Sequence, residues 1–300
     1  MLNVNEPNTR AKKKKIYVII ASLNEEENIK NCIQSCEKAD SIIISDAGSS
    51  DDTVKISKNL LGGECVFIAS ERGRAKQFNQ GAKALMNRNM FNNSATWGDE
   101  DDVFVFLHAD TRLPKTFRED IKSAFEREDA RRIVKRKKKT FFPQSIVNAF
   151  KPKKKEASVE GAVVEENNNS RWGAFPIELS GKRELWKTIV GNLANFRTSR
   201  TGVPYGDQAV FVTRSAFDLH KFDETKTFME DYEYSQRLKR AFGKPALVKG
   251  NDSKVVTDAR RFEKIGFVST TTINMLCVIG YHLKIDVNVL GRFYHSSFKR

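Results

Sequence analysis

The sequence predicts an α/β fold: a Rossmann-like, mostly parallel sheet flanked by helices, in a single domain. Three observations carry that expectation. Short apolar runs without polar alternation recur at 16–20 (IYVII), 41–45 (SIIIS), 65–69 (CVFIA) and 103–107 (VFVFL), as strands buried on both faces do. Segments of helical period separate them. The polar residues able to do chemistry follow the strands directly, where an open α/β sheet places its ligand crevice.

Taken in order, the first run leads into SLNEEENI, where Asn24 and Glu27 are spaced as a helix cap. Ile29, Cys32, Ile33 and Cys36 then share one helical face. After SIIIS comes the turn-forming DAGSSDDT and a short helix through Val54 and Ile56. Ala75, Phe78, Ala82 and Leu85 mark the helix before the fourth strand, which ends in HAD. Residues 134–170 carry KRKKK, KPKKK and ENNNS with no sustained period, and read as a disordered, lysine-rich insertion. Beyond it, Leu185, Trp186, Ile189, Val190, Leu193 and Phe196 recur at helical spacing. YGDQAVFVTR reads as a turn entering a strand, MEDYEYSQRLKR as an acid-headed helix, and the chain from DARRF onward as helical. The expected organisation is a basic tail over 1–15, a folded domain over 16–133 and 171–290 (nucleotide half, then acceptor half), and a tail over 291–300.

The formal charge of +14 invites a nucleic-acid reading, but +11 of it lies in residues 131–155 and +4 in residues 1–15. The remaining 260 residues are close to neutral. Four cysteines, none in a CxxC pair, exclude a disulfide framework and a zinc module. Cys32 and Cys36 read as small core residues. The basic start is followed by too short an apolar stretch for a signal peptide, and 267–283 carries a Thr run, Asn274 and His282, unlike a transmembrane helix. The expectation is a cytoplasmic protein.

Among the candidate residues, Asp46 follows the second strand and could accept a hydrogen bond from a base or ribose, or simply form a turn. Alternation puts His108 and Asp110 on one side, able to face one cation; a carboxylate suits a hard divalent ion and an imidazole favours Mn²⁺ over Mg²⁺. Glu230 and Asp231 head a helix, where the dipole alone favours acids, or where one of them serves as general base. Asp207 has the same double reading. Arg260 and Arg261 match phosphate geometry, and Arg72 and Arg74 flank Gly73 before a helix start, a phosphate-friendly position.

The order of these stretches decides between readings. SLNEEENI, SDAGSSDDT, GRAKQFNQG, FLHADTRLP, YGDQAVFVTR, MEDYEYSQRLKR and ARR together resemble the family 2 glycosyltransferases of GT-A fold, closest to the subgroup labelled selenodomain-associated transferase 2. The resemblance covers roughly 16–130 and 171–290. It implies a hexosyltransferase-like, inverting enzyme that moves a sugar from a UDP- or GDP-sugar to a hydroxyl acceptor such as a lipid or glycan, with Mn²⁺ or Mg²⁺. It implies that Ala21, Ser22, Leu23 and Glu25 line the nucleoside pocket, with Asp46 reading the base and Gly73 and Arg74 near the donor, beside Arg260 and Arg261. Asp110, with His108 in place of the usual first acid, would hold the metal. Asp231, paired with Glu230, would be the base, and Tyr205, Gly206, Asp207 and Gln208 would stand on the acceptor side. Ala21 replaces the family's usual proline.

Two other classes would require different features. A nucleotidyltransferase would carry a glycine-rich basic loop after the first strand, where this chain has the acidic ASLNEEEN. A phosphate- or membrane-surface binding protein would use the lysine runs, by salt-dependent attraction. The expectation here is no specific nucleic acid, with weak membrane-surface contact through the basic segments.

Overall fold

The computed structural model describes residues 14–60, 65–91, 99–141, 170–181 and 184–298. A seven-stranded sheet has the order β3-β2-β1-β4-β8-β6-β9. Its strands are β1 (Ile16–Ser22), β2 (Ser41–Asp46), β3 (Cys65–Ala69), β4 (Val103–His108), β6 (Trp172–Ala174), β8 (Phe211–Thr213) and β9 (Ala246–Leu247). All run parallel except β8, which is antiparallel to both β4 and β6. A second, three-stranded sheet of β5 (Thr111–Arg112), β10 (Val255–Thr257) and β7 (Ile177–Leu179) was not legible in the sequence, because its strands are only two or three residues long.

The central strands separate two cores by their period of two. Val18, Ile20, Ile42, Ile44, Val105 and Leu107 face one side. There they meet α1 (Ile29–Ser35) and α4 (Phe117–Phe141), through Ile29, Cys32, Phe117 and Ile121. Tyr17, Ile19, Ile43, Phe104 and Phe106 face the other side. They pack on α3 (Arg74–Phe91), α6 (Arg214–Leu219) and α7 (Glu230–Phe242), through Phe78, Phe217, Tyr234 and Leu238. Each such fully buried aliphatic or aromatic side chain contributes about 1.5–3 kcal/mol of transfer free energy. The other helices are α2 (Thr53–Leu60), α5 (Leu185–Thr201), α8 (Arg260–Ile265), α9 (Phe267–His282) and α10 (Val287–Ser297).

The α/β class with a mostly parallel sheet is as expected, and so are the buried Cys32 and Cys36. Four local expectations are corrected. Asn24 does not cap a helix; it sits at φ +53°, and its side-chain carbonyl accepts from the Ser50 amide at 2.8 Å. The lysine-rich segment begins as helix, since α4 runs on to Phe141; the rest of that segment, 142–169, lies outside the described residues, as does 1–13. The tail expected from 291 is the body of α10, which Asp286 caps by accepting from the amides of Asn288 and Val289. Finally, the helix expected from 185 is present as α5, but of its six periodic residues only Val190 is buried, beside Lys187 and Thr198, while Leu185, Ile189, Leu193 and Phe196 turn outward. No helix among the described residues is long and apolar enough to cross a membrane.

Candidate active site

A cavity of about 720 Å³ opens at the carboxyl ends of β1 and β4, within the size range of small-ligand sites. Its walls hold Ala21, Ser22, Leu23 and Glu25 from the end of β1 and the loop after it, Gly73 and Arg74 at the start of α3, and His108 and Asp110 after β4. Tyr205 and Asp207 face it from the 3₁₀ turn Gly206–Gln208, Glu230 and Asp231 from the head of α7, and Arg260 and Arg261 from α8. Residues spread over 240 positions of sequence thus converge: parallel strands deliver the chain after β1, β3 and β4 to one edge, and the 3₁₀ turn and the starts of α7 and α8 face that edge.

Charge pairs organise this cavity. Arg260 forms a two-pronged pair with Glu25, one contact at 2.9 Å, and reaches Asp110 Oδ2 at 3.4 Å. Arg74 Nη1 donates to Glu230 Oε1 at 3.2 Å, and Glu230 is almost completely buried. Asp231 is held by two amides: Gly206 donates to Oδ2 at 2.5 Å and Tyr232 to Oδ1 at 2.7 Å. Charge-assisted bonds of this kind fix a carboxylate's position. The acid head of α7 is therefore tied to the YGDQ turn on one side and to the start of α3 on the other.

Burial moves several of these groups. It pushes the His108 imidazole down to about 4, with the positive charge of Arg74 acting the same way, so the ring is neutral at pH 7. Its Nε2 is buried without a hydrogen-bond partner among the described residues, and the ring stacks on Phe78 with centroids 6.1 Å apart. Burial opposes ionisation of Asp110, yet His108, Arg261, Arg260 and Arg74 outweigh it and hold the carboxyl below its usual range. Asp207 is pushed up to about 6, chiefly by burial, and its Oδ1 has no partner among the described residues. Glu230 is raised by burial, against the pull of Arg74.

Three expected site residues lie elsewhere. Asp46 is outside the cavity wall: both its oxygens are filled by Ser22 Oγ, the amides of Gly48 and Ser49, and Ser49 Oγ, at 2.6–3.0 Å. It holds the turn after β2. Gln208 is a buried strut, its Oε1 accepting from Thr198 Oγ1 at 2.7 Å and its Nε2 donating to the Phe175 carbonyl. Gly206 acts through its amide on Asp231. The far wall, from Phe228, Lys264, Asn274, Cys277, Tyr294 and Phe298, was not foreseen. These residues have no motif spacing: Phe228 enters just before α7, Lys264 from α8, and the docking of α9 and α10 brings the other four.

Residues 17–158 match the family model described as glycosyl transferase family 2. The match takes in β1 from Tyr17, β2 to β4, Asp110 and the whole of α4. No curated protein matches the chain. Among solved structures, glucosyl-3-phosphoglycerate synthase from Mycobacterium tuberculosis recurs. Its complex with Mn²⁺, UDP-glucose and phosphoglyceric acid is 14% identical, with 91% of this chain and 81% of that chain covered and a TM-score of 0.48. Its complex with Mg²⁺ and UDP is 15% identical over 91% and 80%, with a TM-score of 0.46.

Proposed function

We propose that this chain is a nucleotide-sugar glycosyltransferase that inverts the anomeric centre, with Asp231 as the base. The observation that carries the reading is the position of Asp231. It is an acid pinned by two amides at a helix head, in a cavity that also holds Asp110, Arg74, Arg260 and Arg261 at the carboxyl edge of a parallel sheet. The family model over 17–158 supports it. The donor's diphosphate would lie toward Asp110 and the arginines, its nucleoside against Ala21–Glu25. The acceptor would approach from the side of Tyr205 and Asp207.

Asp231 then takes the proton of an acceptor hydroxyl as that oxygen attacks the anomeric carbon, and the bond to the diphosphate breaks on the opposite face. A single displacement needs one base and no covalent intermediate. Arg74 and Arg260 are preorganised, already held by Glu230 and Glu25, so they stabilise charge growing on the leaving diphosphate without reorganising. The sugar, the nucleotide (UDP or GDP) and the acceptor are chosen by loops around the cavity.

The residues also fit a divalent cation. Asp110 faces the cavity as a carboxylate whose Oδ2 has, among the described residues, one 3.4 Å contact, to Arg260, so it retains ligating capacity. Among the described residues no three His, Cys, Asp or Glu side chains cluster as a metal site. Asp110 would therefore hold Mn²⁺ or Mg²⁺ jointly with the diphosphate oxygens, with His108 as a second candidate ligand. Once bound, the ion supplies charge neutralisation at the leaving group.

The test is Asp231→Asn, assayed on a donor–acceptor pair found by screening nucleotide sugars for thermal stabilisation. Turnover should fall by roughly 10²–10⁴ with donor affinity nearly unchanged. Wild-type turnover would remove Asp231 from the role. For the metal, Mn²⁺ should raise nucleoside-diphosphate affinity in the wild type and not in Asp110→Ala.

A further inference from the structure

We infer that the outer face of the α9–α10 hairpin is a docking surface for an anionic lipid bilayer. Nine of the seventeen large apolar side chains exposed among the described residues lie between Phe267 and Phe293. Helix α9 has no Asp, Glu, Lys or Arg in its sixteen residues. Val268, Met275, Leu276, Ile279 and Leu283 fall within about 100° of its circumference, which makes one continuous stripe.

The opposite side of α9 is already used: Asn274, Cys277 and Val278 line the cavity, and Cys277 and Gly280 are buried. On α10 the exposed Val289 and Phe293 extend the stripe, while Leu290 is buried against the Gly280 region, a Cβ at 280 standing 2.6 Å from its Cδ2. At the other end Trp186 stacks on Phe267, with centroids 6.2 Å apart, and its neighbour in sequence Leu185 is 78% exposed. An apolar patch of this extent on a surface marks an interaction site.

Charge complementarity selects the occupant. Lys284 ends the stripe and Arg292 stands on α10 beside Phe293, both exposed. The two acids nearby are engaged, Glu263 with Lys187 at 2.6 Å and Asp286 in capping α10. An apolar stripe with cations at its margins and spent acids fits the boundary of an anionic bilayer, where the helix lies in the interface plane without crossing. A second copy paired through a two-fold axis would set this cationic margin against itself.

The test uses the full-length chain and vesicles of phosphatidylcholine with about one-third phosphatidylserine. The measurements are flotation and sedimentation of the lipid-free protein in the same buffer. The wild type should float with these vesicles, float less as salt rises, and sediment as a monomer without lipid. The triple variant Leu276→Glu, Ile279→Glu, Leu283→Glu changes only exposed positions and should bind at least about tenfold more weakly, with an unchanged melting temperature. The inference is overturned if the wild type does not bind. It is also overturned if the variant binds equally, which would assign binding to the lysine-rich segments. A lipid-free wild-type dimer that the variant splits would assign the face to self-association and overturn it too. No readout depends on catalytic activity.

Discussion

Gly206 and His108 are packed so closely that a Cβ added at 206 would stand 2.7 Å from the ring Nε2 and 3.0 Å from Asp231 Oδ2. The missing side chain is what lets the YGDQ turn lie across both the imidazole and the carboxylate. His108 is thus seated beneath the acid head of α7, while Asp110, two residues on, meets Arg260 across the cavity.

Gly206→Ala should therefore disturb two groups at once. Displacing ring and carboxylate should cost about 1–3 kcal/mol of stability, as overpacking does. Turnover should fall by at least about tenfold, since the amide that fixes Asp231 moves with the turn. Thermal melts and steady-state rates read the two effects; a variant matching the wild type in both would show that the turn has room to spare.

Asp207 makes stability depend on pH. Its folded value near 6 lies above the ordinary 3.8, so between these values the folded chain keeps a proton that the unfolded chain has released. Its contribution therefore weakens as pH rises from about 4 to 6, and the penalty is complete above 6. Asp207→Asn should be more stable than the wild type by about 1–3 kcal/mol at pH 8 and equal to it at pH 4. Denaturant melts at the two pH values check the sign.

The Arg74–Glu230 pair is asymmetric. Glu230 is 4% exposed, whereas the Arg74 side chain is 41% exposed. Arg74→Met strands a buried carboxylate, and Glu230→Gln leaves a partly hydrated guanidinium with an amide oxygen to meet. The first should destabilise by about 1–3 kcal/mol more than the second, and the difference should shrink at low pH as Glu230 takes up a proton. Equal losses would mean the pair is held by packing rather than by charge.

At the core, Gly173 in β6 lies where a Cβ would meet the Ala246 carbonyl at 2.1 Å and the Phe211 ring at 2.4 Å. Gly173→Ala has to push strands β6 and β9 or the ring apart. We expect a loss at the upper end of the usual 1–3 kcal/mol overpacking range, read as a lower denaturant midpoint. Gly48→Ala is the contrast. No atom lies within 4 Å of a Cβ there, and its cost comes only from φ +83°.

Most of the framework was legible because local rules dictate it. Runs such as IYVII and VFVFL have no polar face to expose and so can only be interior strands, and Phe78 and Ala82 could meet them only as one helical face. A strand end pointed to Asp110, a helix head to Asp231 and phosphate geometry to the arginines. At Asp46 the turn reading is the one seen, its acceptor capacity spent on Ser22, Gly48 and Ser49, whereas at Asn24 a left-handed backbone overrode a capping pattern.

What the sequence determined by itself was the parallel α/β sheet and the edge at which the chemistry gathers, since both follow from period and from strand direction. Only the tertiary structure decided which acids are paired, which buried groups are left without partners, and that α9 and α10 close the far wall of the cavity. These depend on contacts between residues tens to hundreds of positions apart, such as Arg260 with Glu25 and Gly206 with Asp231. No local pattern encodes a distance across the fold. For the same reason the helical reading from DARRF onward could not say which side of α9 faces outward; the packing of Cys277 and Gly280 on its other side decides that.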